Sequence, residues 1–184
     1  MEIRVDQIEK RSWVEVDLSQ IEKNYLLYKQ SLAKDARIMA VIKADAYGHG
    51  DAMVARTLSA NGVNLFAVSN VDEAVGLRNA GISGEILILG YSSPIYANRL
   101  HFLNLTQAIV SEDYAEALAR TGYELKCQFA IDTGMNRIGI SSKDTKKASQ
   151  IIRHYSRSLH VNGIFTHLCV ADGINESDKE YTNM

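Results

Sequence analysis

Residues 40–50 read AVIKADAYGHG. A short apolar run, beginning two residues earlier at Ile38, ends abruptly at Lys43, and small residues then lead to Tyr47, His49 and Gly50. An apolar run of this length, bounded by polar and glycine residues, has the form of a buried strand. The residues after the strand separate two fold classes. A dinucleotide-binding doubly wound sheet carries a GxGxxG turn after its first strand, and no such turn is present.

Outward from this strand the pattern repeats. Further strands are predicted at Leu65–Val68, Ile86–Leu89, Gln107–Val110, Lys126–Ile131 and Val161–Phe165. Between them lie helix-period segments at Asp51–Ala60, Val71–Ala80, Pro94–Phe102, Glu112–Arg120 and Thr145–Tyr155. Asn70 and Ser111 stand where helix caps are wanted, with Glu73 three residues after Asn70. Gly62, Gly81 and Gly122 fall where helices terminate in the left-handed conformation. Upstream, Trp13–Val16 reads as an opening strand, and Asp17 caps a helix with Gln20 placed to reach back. Ile21, Tyr25, Tyr28 and Leu32 give that helix one apolar face.

Strands alternating with helices imply an α/β protein with a parallel sheet. Periodicity leaves a doubly wound sheet and a (β/α)8 barrel both open. A complete barrel typically needs ~250 residues, so on the barrel reading these 184 residues supply about six of eight units. There is one proline, Pro94, and no repeat or linker, so residues 1–184 are read as a single domain.

Bulk properties exclude more than they assign. Apolar content of 46%, charged content of 23% and a net charge of −2 are those of an ordinary globular protein. No basic block suggests nucleic acid, and no run approaches the roughly 20 apolar residues of a membrane span. The charged start MEIRVDQIEKR lacks the apolar core of a secretory signal. Cys127 and Cys169 show no metal-ligand spacing and are read as reduced thiols. A cytoplasmic location is the default expectation.

Lys43 is the residue with chemistry in prospect. A lysine at a strand end is ordinarily a solvated charge. In a barrel, however, carboxyl ends of strands face the active site. Partial desolvation beside an apolar strand favours the free amine that attacks a carbonyl. Ala44, Ala46 and Gly48 leave room for a flat ring, and Tyr47 offers a hydroxyl to a phosphate.

The segment AVIKADAYGHG resembles the pyridoxal-phosphate attachment signature of the alanine racemase family. RSWVEVDLSQIEKNY, AVSNVDEAVGLRNAGI, EILILGYSS, AIDTGMNRIGI and GIFTHLCVADG resemble further blocks of that family, in order, from about Arg11 onward. The resemblance implies an incomplete (β/α)8 TIM-barrel domain that binds pyridoxal 5'-phosphate and racemises alanine or serine, supplying D-amino acid for peptidoglycan. It implies that Lys43 forms the aldimine with the coenzyme and acts as the base on one face of the α-carbon. Tyr47 would contact the coenzyme phosphate, and His167 would pack against its ring. Arg137 would contact the substrate carboxylate and the coenzyme. Met135 is read as packing and His49 as a support for its loop; His101, His154 and His160 receive no function.

One position departs from the family. A lysine two residues before the aspartate of the DTGM block is carbamylated in many relatives, and here that position is Ala130. The expectation is that another anion, such as chloride or a nearby carboxylate, holds Arg137. Racemisation also needs an acid–base group on the second face. In the family that group is a tyrosine of a β-rich C-terminal domain from the other subunit of a homodimer. The resemblance places that domain, and the last barrel strands, beyond Met184, so this chain alone is expected to be inactive. A non-catalytic coenzyme-binding barrel and a decarboxylase on a related barrel are the competing readings. The carboxylate-binding block around Arg137 argues against the former, and AYGHG against the latter.

Overall fold

The computed structural model describes residues 12–173, Asn175 and Ser177. Seven strands form one sheet: β1 (Ala40–Val41), β2 (Leu65–Val68), β3 (Glu85–Ile88), β4 (Thr106–Ile109), β5 (Lys126–Asp132), β6 (Ile140–Ser141) and β7 (His160–Thr166). Every pairing is parallel, in the order β1–β2–β3–β4–β5. Ile131 of β5 is in register with Thr166 of β7 on one side and Ile140 of β6 on the other. The two-residue β6 therefore sits beyond the end of β4, where Gly139 N–H donates to Val110 O.

Helices connect the strands: α2 (Lys43–Gly48), α3 (Asp51–Ala60), α4 (Val71–Asn79), α5 (Ala97–Phe102), α6 (Glu112–Ala119) and α7 (Thr145–Tyr155), with α1 (Leu18–Ser31) ahead of β1. Phe66, Val68, Ile86, Ile88, Ile109 and Phe129 project under the helices. There they meet Val54, Leu58, Leu77, Leu118 and Ile151 in one continuous core. The alternate residues Ala67, Leu87 and Ala108 form a smaller cluster on the opposite face with Met39, Leu89 and Phe165. This two-sided burial explains why the strands read as unbroken apolar runs. Among the described residues β1, β6 and β7 each pair with one strand only, so the sheet is not closed. Ile164 is in register with the fully buried Phe129 yet is 62% exposed.

Six of the seven predicted strands and all six predicted helices are present, the first of those strands only as the two-residue β1, and two of the caps are as expected. Asn70 Oδ1 accepts from Glu73 N and Ser111 Oγ from Tyr114 N. Gly62, Gly81 and Gly122 all have positive φ. Four expectations need correction. Trp13–Val16 is not a strand: no strand lies beside it among the described residues, and Trp13 and Val14 are exposed. The amide of Gln20 goes to Asn24; its backbone N–H, not its side chain, meets Asp17. The apolar face of α1 is narrower than its periodicity suggests. Leu18, Ile21 and Tyr25 pack against the core, but Tyr28 is 70% exposed and no residue of the helix is fully buried. The segment 94–102 opens as a 3-10 turn at Pro94–Tyr96 before α5.

The start of the chain, MEIRVDQIEKR, expected to carry no secretory signal, lies outside the described residues. No helix among the described residues is long and apolar enough to cross a membrane. Both cysteines are free; Cys127 is buried and Cys169 half-buried.

Candidate active site

The carboxyl ends of the strands open into a cavity of about 680 Å³, within the range of small-molecule sites. Lys43 and Tyr47 enter it after β1, Ser69 after β2 and Gly90 after β3. Ala130, Ile131 and Asp132 come from the end of β5, Thr166 and His167 from the end of β7. Met135 and Arg137 project from the loop between β5 and β6. The four residues singled out from the sequence, Lys43, Tyr47, Arg137 and His167, thus share one wall system. They make no hydrogen bonds to one another among the described residues; the Lys43 amine lies 5.9 Å from the centre of the Tyr47 ring.

The backbone carrying Lys43 is unusual. Ala44, Asp45, Ala46 and Tyr47 all have φ between 50° and 57°, so α2 is a turn of left-handed helix. That conformation costs about 1–2 kcal/mol at each non-glycine residue and persists only where the surroundings over-determine it. Here the supports are explicit. Ala46 N–H donates to Ile42 O at 3.0 Å and Gly50 N–H to Asp45 O at 2.9 Å. Asp51 N–H donates to the Asp45 carboxylate at 2.9 Å. His49 Nδ1 lies 2.9 Å from Ala46 O, which agrees with the loop-fixing role expected of it. Ala44 N–H donates to Glu73 Oε1 at 2.9 Å.

The other oxygen of Glu73 accepts from Ser69 N at 2.7 Å and Ser69 Oγ at 2.8 Å. Desolvation pushes this carboxyl up. The hydrogen bonds from Ser69 and Ala44, with the nearby charge of Lys43, outweigh it and hold the group below its ordinary value. The small residues of the signature have a different role from the one expected. Ala44, Ala46 and Gly48 do not line the cavity; their smallness suits a turn in which each Cβ is crowded.

The loop bearing Arg137 is tied down at several points. Asp132 Oδ1 accepts from Gly134 N and Asn136 N, both at 3.0 Å, and these bonds, that from Asn136 foremost, lower its pKa. Thr133 and Thr166 share a hydroxyl hydrogen bond of 2.7 Å across β5 and β7. Arg137 is exposed and makes no hydrogen bond or ion pair among the described residues. His167 is also exposed, one residue past β7. Met135, read as packing, lines the cavity.

On the β3 side, the Tyr114 hydroxyl donates to Ser92 O at 2.6 Å and accepts from Ser92 N at 3.2 Å. Gln107 Nε2 donates to Gly90 O at 2.7 Å. A Cβ on Gly90 would lie 2.6 Å from Ser69 O, so only glycine lets this loop approach β2.

Sequence reasoning missed Ser69, Gly90, Gln128 and Asp132 as cavity residues. Ser69 and Gly90 lie just after strands, a position that would have marked them in any barrel. Gln128 was findable from strand alternation, two residues before Ala130 on the same face.

The profile described as "Alanine racemase, N-terminal domain" matches residues 16–184. An amino-acid racemase of Enterococcus faecalis is 39% identical over 173 residues, covering 94% of this chain and 24% of that protein. An alanine racemase of Carboxydothermus hydrogenoformans is 39% identical over 176 residues, covering 94% and 46%. The chain thus spans about half or less of the length of the curated relatives it matches. Among solved structures, an alanine racemase of Clostridium difficile 630 in complex with cycloserine superposes with a TM-score of 0.87 at 30% identity, over 96% of this chain and 50% of that one. A histidine racemase from Leuconostoc mesenteroides superposes with a TM-score of 0.79 at 31% identity, over 90% and 45%. With its parallel strands, its cavity at their carboxyl ends and these similarities together, the chain belongs to the alanine racemase family, in the part that forms the N-terminal barrel domain.

Proposed function

We propose that this chain is the coenzyme-bearing part of a racemase acting on alanine or serine, with Lys43 as the residue that holds pyridoxal 5'-phosphate. The observation that carries this reading is the convergence of the Lys43 amine, Tyr47, Arg137 and His167 on one cavity. The donor set fits the group: an amine for the aldehyde, a phenol for the phosphate, an imidazole for the ring face and a guanidinium for an anionic oxygen. The cavity volume of about 680 Å³ accommodates a pyridine ring with a small amino acid beside it. When bound, the coenzyme supplies the electron sink that makes the α-proton removable.

The residues of the chain then divide the work. Lys43 takes or returns the α-proton on one face. Arg137, with its planar fork of donors, orients a carboxylate or a phenolic oxygen. Tyr47 holds the phosphate end, and His167 packs on the ring. The opposite face needs a second acid–base group, which we assign to another part of the protein, in a homodimer. Use of the product in peptidoglycan and a cytoplasmic location belong to the same proposal. A related serine/alanine racemase of Enterococcus gallinarum, 36% identical over 167 residues, keeps serine beside alanine as substrate.

The test is to incubate the purified chain with pyridoxal phosphate, reduce with borohydride and map the labelled peptide. Label concentrated on Lys43 is expected. Label spread over surface lysines, with Lys43 no more reactive than the rest, would overturn the assignment. A protein that is labelled at Lys43 but exchanges no α-proton of alanine or serine, even with the remaining domain supplied, would instead be a binding barrel.

A further inference from the structure

We propose that Glu73 is the positioning residue for Lys43: its carboxylate holds the left-handed turn, and thereby the direction from which the lysine amine enters the cavity. This rests on the reading of Lys43 as the coenzyme lysine. Three donors converge on the two oxygens of Glu73: Ala44 N–H on one, Ser69 N–H and Ser69 O–H on the other. Ala44 follows Lys43 directly, and Ser69 follows β2 directly. One side chain therefore clamps the carboxyl ends of two adjacent strands at the edge of the cavity.

The clamp answers a specific structural need. A helical turn leaves its first N–H groups without internal partners, and in this one Ala44 N–H is satisfied by Glu73 alone among the described residues. Each of the four residues after Lys43 is held in a conformation that an unconstrained chain avoids. Loss of the external acceptor at the start of the turn lets those residues relax to right-handed or extended values. The Cα–Cβ direction of Lys43 then changes with them. The carboxylate also supplies a fixed negative charge near the amine: the Lys43 charge contributes to keeping Glu73 ionised.

The chemistry of the clamp makes the test discriminating. All three groups facing Glu73 are donors, so the nearly isosteric Glu73→Gln must turn its own NH2 toward at least one of them. Glu73→Asp keeps the charge but is one methylene short, and it can serve either Ser69 or Ala44, not both. Glu116→Gln, on the exposed face of α6, is the control.

Two measurements are made on each purified variant. The first needs no coenzyme: amide hydrogen exchange of the peptide spanning residues 43–50. The second is the initial rate at which pyridoxal phosphate is trapped by borohydride on Lys43, compared with all other lysines. For Glu73→Gln we expect at least tenfold faster exchange at residues 43–48, with the β5 peptide unchanged. We expect at least tenfold slower labelling of Lys43, with other lysines unchanged. Glu73→Asp should fall between wild type and Glu73→Gln in both, and it serves alone if Glu73→Gln does not fold. Exchange and labelling both within twofold of wild type would overturn the proposal. Faster exchange with unchanged Lys43 labelling would also overturn it, since the turn would then be held without positioning the amine. If wild-type Lys43 takes no label, the reading of the function fails instead, and the exchange measurement still decides whether Glu73 holds the turn.

Discussion

A Cβ added to Gly139 would lie 2.9 Å from the carbonyl oxygen of Ala130 and 2.9 Å from the backbone nitrogen of Asp132. Both neighbours are backbone of β5, and Gly139 itself has φ of +111°. The return of the Arg137 loop to the sheet therefore requires glycine twice over, for space and for conformation. Gly139→Ala should cost about 2 kcal/mol, in the usual range for a forced backbone conformation. For a chain of this size that lowers the melting temperature by roughly 4–8 °C, measured by differential scanning calorimetry. A melting temperature unchanged from wild type would show that the loop can close without this contact.

Tyr114 and Ser92 make the second prediction. The Tyr114 hydroxyl is both donor to Ser92 O and acceptor from Ser92 N, and Tyr114 and Ser92 are each about 4% exposed. Tyr114→Phe leaves two buried backbone groups without this partner, a loss of about 1–3 kcal/mol. Hydrogen exchange should rise in the peptide 89–93, which carries the cavity residue Gly90. Tyr114→Phe with wild-type stability and exchange would mean that water replaces the hydroxyl.

The two thiols should behave differently. Burial pushes Cys127 from 9.0 up to about 12, whereas Cys169 is only half-buried. Because the folded value is raised, the stability linked to the Cys127 proton is fully present below the unfolded thiol value. It is lost as pH rises from there through about 12. At pH 8, iodoacetamide should modify Cys169 and spare Cys127 until the chain is unfolded, as read by peptide mass. Equal rates at the two sites in the folded protein would contradict the buried placement of β5.

Glu73 and Asp132, like Asp17, contribute to stability at the acid end. Both carboxyls lie below their ordinary values when folded. Their contribution is therefore present above the unfolded carboxylate range and lost as pH falls through the lower folded values. Stability should decline below about pH 4.5, the ordinary value for Glu73, and less steeply in Glu73→Gln. Parallel acid-denaturation curves for the two proteins would remove Glu73 from this account.

Much of the fold is legible in the residues. Strand and helix positions follow from runs such as Leu65–Val68 and from caps such as Asn70, because local pattern and tertiary burial agree there. Lys43, Tyr47, Arg137 and His167 stand out through motif resemblance, and the cavity brings them together. The left-handed turn is not legible. No local propensity predicts four such residues in succession, and what sustains it includes Glu73, which lies 29 positions from Ala44. For the same reason Glu73 reads only as part of a helix cap. Trp13–Val16 fails for the opposite reason: a strand-like run becomes a strand only where another strand accepts its hydrogen bonds.

Arg137 carries the last prediction. Two sources of negative charge are expected for it, a nearby carboxylate or a free anion. Asp132 is the carboxylate that shares the cavity wall with it, but Oδ1 of Asp132 is committed to the N–H groups of Gly134 and Asn136. Those bonds orient it within its own turn. Ala130, buried in the same wall, offers only a methyl group. Arg137 is exposed and makes no hydrogen bond or ion pair among the described residues, so its planar fork of donors is left to an anion from solution. We therefore expect a halide site beside Arg137 and Ala130. Crystals soaked in bromide should show an anomalous peak there, and Arg137→Ala should abolish it. A well-resolved site holding only water, or Asp132 turned onto Arg137 with its loop hydrogen bonds broken, would show that the protein orients this arginine without a free anion.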